Sequence, residues 1–329
     1  MYQAPVVDHR RMNERLPDLI YVRDLDGLAE SRRTHARAAE SGTETRISHG
    51  VYVASDAWSD VADYERYLLR IRAVAFTRKS RPVLSHWSAA AIHGLPRTGQ
   101  WPQAVHTIVG QSAGGRSRGG VINHYGRLPD EDVVEIDGML VTSVARTVVD
   151  LAMTSSFASA TVVADRAQLE PRTAWTPPMT TKERLQQTLD RLMPVRAHRR
   201  AQSVIDFSVN CSESPLESES RVSMCVIKCP KPQLQVSYRD SGGLIGRTDF
   251  SWPAYGAVGE ADGKMKYSRE IYLKGRTPQE VVDAERVRHN RLAALPLTVI
   301  RWDWATGTNP ALLKTQLLKA GIPMGAKWE

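Results

Sequence analysis

Four carboxylates in the last third of the chain have the types and spacing for metal-assisted chemistry. Glu260 and Asp262 stand two apart in AVGEADG and so share one face of a strand. Asp249 lies in LIGRTDFSW, where alternation puts it opposite Phe250 and Trp252, on the side of Arg247 and Ser251. Glu217 comes from the preceding helical segment PLESESRVSMCVI, one turn from Arg221. If the two strands are neighbours, the acids converge. Carboxylates so clustered repel one another unless a divalent cation or basic groups compensate. A Mg²⁺ or Mn²⁺ ion on Asp249 and Glu260 would activate a water and stabilise charge on a phosphate, with Lys264 assisting, as phosphodiester cleavage requires. Arg221, Arg247, Lys264 and Lys266 are the basic groups within sequence reach that could stand in for the metal. A pair such as Glu260 and Asp262 also occurs simply facing solvent, and spacing alone does not separate these cases.

A second set of residues suits nucleic acid. SRRTHARAAESG reads as a helix from a capping Ser31 to a terminating Gly42, with Arg32, Arg33, His35 and Arg37 on its outer faces. Arg33 and Arg37, four apart, are neighbours there. TRISHGVYV follows as a hairpin around Gly50 that carries Arg46. Helix, tight turn and wing make a winged helix-turn-helix, which places arginines in the major groove against guanine and wing groups on phosphate. The same segment also reads as an amphipathic helix whose arginines keep it soluble. In GQSAGGRSRGG, Arg116 and Arg118 sit where glycines let backbone approach phosphates. Gly110 to Gly114 there matches a nucleophile elbow in letters only, because no helix follows Ser112.

These residues need elements to hold them. Val61 to Thr77 and Ser85 to His93 are helical in period, Val105 to Val109 and Val121 to His124 read as strands, and Val133 to Val141 as a strand pair turning at Asp137-Gly138. Helices follow at SVARTVVDLAM and Phe157 to Gln168, and Pro171 to Thr181 reads as a linker. Two more helices lie near Lys182 to Leu192 and Arg196 to Phe207. From Ser212 the order is helix, three strands, helix, strand. A hairpin turn at Asp240 to Gly243 joins the first two strands, and a capping box at Thr277 to Glu280 opens the second helix.

At 329 residues the chain exceeds one core and predicts an α+β or α/β multidomain protein. The divisions read from it are 10–60 for the winged helix, 61–170 for an α/β middle domain, 171–211 for linker and helices, and 212–329 for the αβββαβ domain. Three cysteines, Cys211, Cys225 and Cys229, make neither a disulfide framework nor a zinc spacing, and no apolar run suits a membrane span or secretory signal. A cytoplasmic protein without membrane contact is expected. The net charge is +8, and its excess is concentrated in residues 61–130 (+7) and 181–200 (+4). Basic clusters of that kind suit a polyanionic partner.

The strings SRRTHARAAESGTETRISHGVYV, VLSHWSAAAIHGLP and VTSVARTVVDLA resemble AbiEi-type antitoxins and transcriptional regulators of bacterial type IV toxin-antitoxin systems. SPLESESR, GRTDF, VGEADG and VIRW resemble the very-short-patch-repair-like branch of the PD-(D/E)xK endonuclease fold. The resemblance implies double-stranded DNA as partner, repression of the protein's own operon, and a nucleotidyltransferase toxin to counterbalance. It makes Arg32, Arg33 and Arg37 DNA contacts and Glu217, Asp249 and Glu260 metal-site acids. Asp262 stands where that motif expects lysine. Three readings therefore stay open: a DNA-binding regulator whose endonuclease-like domain has lost catalysis, a Mg²⁺-dependent DNA endonuclease guided by the winged helix, and a protein that binds nucleic acid without sequence preference.

Overall fold

A computed structural model describes residues 16–25, 28–78, 80–110, 117, 119–170, 177–262 and 277–328. Arg116, Arg118, Lys264, Lys266 and most of the expected linker lie outside these residues. The fold is mixed α and β, with three sheets among the described residues. It forms two compact units, Pro5–Val163 with Met179–Asp206, and Ala164–Pro178 with Phe207–Glu329.

The N-terminal unit begins with β1 (Ile20–Tyr21), α1 (Leu28–Glu40), β2 (Glu44–Ser48) and β3 (Val51–Ala54). These strands form a sheet in the order β1-β3-β2. Helix α1 starts three residues before Ser31, so that serine lies inside the helix and does not cap it. Gly50, at φ +71°, makes the hairpin turn. Short α2 (Ser55–Asp60) leads to α3 (Asp63–Thr77), then β4 (Val83–Leu84), α4 (His86–Ile92), β5 (Val105–Val109), β6 (Val121–Tyr125), β7 (Val133–Ile136) and β8 (Met139–Thr142). The second sheet runs β6-β5-β4-β8-β7, and β5 and β6 pair in parallel. At the β7–β8 turn Asp137 and Gly138 both have positive φ, as a two-residue primed turn requires. Tyr67, Leu69, Ile71, Leu84 and Val141 are fully buried in this unit's core.

Helix α5 (Val144–Thr154) is capped by Ser143, whose hydroxyl accepts from the Arg146 amide, and α6 (Phe157–Gln168) follows. Helices α7 (Lys182–Leu192) and α8 (His198–Phe207) fold back into the N-terminal unit, where α7 packs on α5. The TSVARTVVDLA motif builds a buried charge network. Arg146 lies between Asp150, with Nε to Oδ1 at 2.9 Å, and Asp132, with Nη1 to Oδ2 at 3.1 Å. Arg191 of α7 reaches the other Asp132 oxygen at 2.8 Å. Burial still pushes the Asp150 carboxyl up to about 6, with Arg146 opposing.

The C-terminal unit contains α9 (Pro215–Val226), β9 (Gln233–Asp240), β10 (Gly243–Trp252), β11 (Ala257–Ala261), α10 (Pro278–Ala293), β12 (Thr298–Trp302), α11 (Trp304–Gly307) and α12 (Pro310–Lys319). Its αβββαβ order is the one expected, extended by the last two helices. The sheet runs β12-β11-β10-β9, antiparallel except for the parallel β11–β12 pair. Phe250, Trp252, Trp302 and Leu313 form the core on one face, and Ile245, Val258 and Leu292 on the other. Glycine is required at residue 259, where a Cβ would lie 2.5 Å from the Trp302 ring.

Candidate functional site

Strands β10 and β11 are neighbours, and their register continues from Phe250↔Gly259 toward Asp249 and Glu260. The four acids nevertheless separate into two sets. Glu217 and Asp249 form the first. Glu217 is the third residue of an N-terminal capping arrangement on α9: Ser214 Oγ accepts from the Glu217 amide at 3.2 Å and donates to its Oε1 at 2.7 Å. Oε2 accepts from the Glu213 amide at 2.9 Å and from Gln235 Nε2 at 2.8 Å. Gln235 Nε2 also lies 3.5 Å from Asp249 Oδ1, and Asp249 Oδ2 accepts from the Ala261 amide at 2.8 Å. Gln235 has φ +56° within a strand, a left-handed backbone rare for a side-chain-bearing residue. Burial, and then the neighbouring Asp249, push the Glu217 carboxyl up to about 8.

Glu260 and Asp262 form the second set, and arginines hold it. Glu260 is 4% exposed. Arg288 of α10 donates from Nη2 to its Oε1 at 2.7 Å. Arg301, its register partner on β12, brings Nη2 within 2.6 Å of Oε2. That second contact is electrostatic and not a directed hydrogen bond, because its geometry leaves Oε2 without a donor. Arg301 Nη1 reaches Asp262 at 3.3 Å, and Glu285 of α10 accepts from both Arg288 (2.7 Å) and Arg301 (2.9 Å). Burial would raise Glu285, but the hydrogen bonds from the two guanidiniums overcome it and hold the carboxyl at about 2.

Of the basic groups expected to compensate the acids, the two described ones are engaged elsewhere, and Lys264 and Lys266 lie outside the described residues. Arg221 pairs with buried Asp165 at 2.8 Å and stacks on Phe207, and Arg247 pairs with Glu213. The residues that do compensate, Arg288 and Arg301, escaped the sequence reading. One signal was present: Glu285 and Arg288 are three apart on a helix, a spacing that brings them together. A divalent cation does not fit this donor set. Glu260 is neutralised on both oxygens and one Asp249 oxygen accepts an amide, and among the described residues no three His, Cys, Asp or Glu side chains are placed to hold a metal.

The N-terminal candidates differ. Arg32, Arg33, Arg37 and Arg46 are exposed. None makes an ion pair with another described residue, although Arg46 Nε donates to the Ser48 carbonyl at 3.3 Å. His35, expected on the outer face, instead ties helix to hairpin. Its Nδ1 lies 2.8 Å from Glu44 Oε2, and its ring stacks on Tyr52 with centroids 5.6 Å apart. The hairpin is preceded by α1 and a single 3₁₀ turn, Val22–Asp24, and the first helix of a full helix-turn-helix is not among the described residues.

The sequence reading also missed a histidine cluster. His86, at φ +51°, stacks on His124 with centroids 3.5 Å apart, and His106 Nδ1 lies 2.9 Å from His124 Nε2. Burial lowers all three below the ordinary histidine value. His106, further lowered by the neighbouring His124, and His124 itself both come to about 4.

No family model matches the chain, and no curated protein is significantly similar to it in sequence. No helix among the described residues is long and apolar enough to cross a membrane.

Proposed function

We propose that the protein is a cytoplasmic DNA-binding regulator of the AbiEi-antitoxin type, which reads double-stranded DNA with α1 and the β2–β3 hairpin as a winged helix. The observation that carries this reading is the set Arg32, Arg33 and Arg37, exposed on one helix and making no ion pair with a described residue. In the proposed complex Arg33 and Arg37 pair with guanine edges in the major groove, and Arg32 and Arg46 contact phosphates. The His35–Glu44 pair fixes the angle between helix and wing. Through its own operator the protein would repress its operon, and a nucleotidyltransferase toxin is the partner it would counterbalance.

Binding to the protein's own promoter and to random DNA, measured over a range of salt, tests the reading. Preference for the promoter, with affinity falling steeply as salt rises, is expected. Equal affinity for both DNAs would reduce the protein to a non-specific binder. Supercoiled DNA should stay intact with Mg²⁺ or Mn²⁺. Nicking that disappears in Asp249→Ala would make the protein an endonuclease instead.

A further inference from the structure

Residues 61–130 hold the largest share of the chain's positive charge, a net +7. Three of their arginines make no ion pair with a described residue and are nevertheless held in place. The guanidinium carbons of Arg66 and Arg70, on α3, lie 5.5 and 5.2 Å from the centre of the Trp58 ring. That of Arg97, in the loop between α4 and β5, lies 4.2 Å from the centre of the Trp87 ring. Trp101 joins the two places, stacking on Tyr67 of α3 at 5.4 Å and meeting Trp87 edge-on at 6.2 Å. A tryptophan face holds a guanidinium and leaves its charge intact, whereas a carboxylate would cancel it.

The hydrogen bonds are as incomplete as the charge balance. Arg66 donates from Nε to the Trp58 carbonyl at 3.2 Å and from Nη2 to the Ser59 carbonyl at 2.9 Å, and Arg97 donates from Nε to the Gln100 carbonyl at 2.5 Å. Nη1 of Arg70 and Nη1 of Arg97 are covered by protein without a hydrogen-bond partner among the described residues. Covered donors are almost always paired. Asp63 acts electrostatically on both arginines, but it is one carboxylate for two guanidiniums, and its Oδ2 already accepts the Trp101 amide at 2.8 Å. All three arginine side chains are half-buried and so remain open to solvent in part. Forks that are charged, fixed and unfilled suit paired bonds to phosphate oxygens, and they have little freedom left to lose on binding.

We propose that Arg70 and Arg97, with Arg66 beside Arg70, form a second DNA contact that takes backbone phosphates of the duplex bound by α1. Helix α3 packs on β2, the first strand of the proposed wing, so the two surfaces belong to one continuous part of the unit. The seat rests on the proposed DNA-binding function but not on base readout by α1. Its contacts are to phosphate alone, so it adds affinity without sequence preference.

Affinity of the full chain for promoter and for random duplex DNA, measured across a salt series, tests this. Arg70→Gln with Arg97→Gln should lose on the order of 10-fold on both DNAs alike. It should also flatten the dependence of log Kd on log salt by about two units, one for each phosphate contact removed. Should the double variant fail to fold, Arg70→Gln alone should flatten the slope by about one unit. An unchanged slope would overturn the seat and leave base readout by α1 standing. A flattened slope here, beside an undiminished promoter preference in Arg33→Ala with Arg37→Ala, would uphold the seat and overturn base readout by α1. Inorganic tripolyphosphate is the second probe. If it raises the unfolding temperature of the wild type alone, while both proteins bind DNA equally, the seat takes free polyphosphate and DNA is overturned as its ligand.

Discussion

In the C-terminal unit Arg221, Arg247, Arg288, Arg291 and Arg301 each lie against a carboxylate, whereas on α1 Arg32, Arg33 and Arg37 are exposed and make no ion pair with a described residue. Charge counts miss this difference. Residues 1–60, which contain α1, carry a net −2 and residues 201–329 a net +3, so the segment charge does not single out α1. A guanidinium already bonded to a carboxylate must lose that partner before it can take a phosphate, while an unpaired one need only shed water. Free positive charge, more than net positive charge, locates the proposed DNA surface.

Removal of a buried pair should have the largest effect. Arg221→Ala strands Asp165, which is 1% exposed, and should cost about 3–5 kcal/mol by leaving a buried charge uncompensated. Chemical denaturation would measure it, and a loss below about 1 kcal/mol would show that this arginine is not needed to hold the unit together.

The carboxyl pair comes next. Glu217 titrates near its ordinary value in the unfolded chain and at about 8 in the fold, so the folded chain keeps a proton that the unfolded chain has released. Its contribution is complete below the ordinary carboxyl range and is lost as pH rises through 8. The stability of the wild type should therefore fall between pH 7 and 9 by on the order of 1 kcal/mol relative to Glu217→Gln, which has no proton to lose. Parallel pH profiles would show that Glu217 is already ionised.

A smaller effect of opposite sign belongs to the N-terminal unit. His106 and His124 titrate at about 4 in the fold and near the ordinary histidine value when unfolded, so the unfolded chain binds more protons between these limits. Stability should fall as pH drops through 6.5 toward 4, by on the order of 1 kcal/mol after solvent screening. Asp150, raised to about 6, acts in the other direction, so the histidine contribution is read as the difference between wild type and His124→Gln. Identical acid limbs would exclude the cluster as its source.

Much of the scaffold was legible because its signals are local. The Thr277 capping box, the Asp240–Gly243 hairpin turn and the Asp137-Gly138 turn each lie within a few residues and appear as read. The start of α1 was misplaced because Ser31 is a good cap in isolation while the helix begins upstream. At the candidate site the residue types were legible and their partners were not. Glu260 meets Arg301 through the parallel register of β11 with β12, a pairing made across α10 that no short spacing encodes. The split between Glu217–Asp249 and Glu260–Asp262 likewise depends on Gln235, whose left-handed backbone lies inside an ordinary strand pattern. His35 illustrates the same limit: helical spacing put it beside the arginines, but Glu44 and Tyr52 draw its ring toward the hairpin.

That the α1 arginines, which make no ion pair with a described residue, read DNA while the paired ones do not is tested most directly by one side-by-side titration of promoter and random DNA. Arg33→Ala with Arg37→Ala is compared with Arg291→Ala, whose guanidinium bonds Asp240 at 2.5 Å. The double variant should lose about 10- to 100-fold in promoter affinity and far less on random DNA, since groove contacts carry sequence and phosphate contacts do not. Arg291→Ala should leave both nearly unchanged. Equal losses on the two DNAs in the double variant, or an equal loss in Arg291→Ala, would contradict the account.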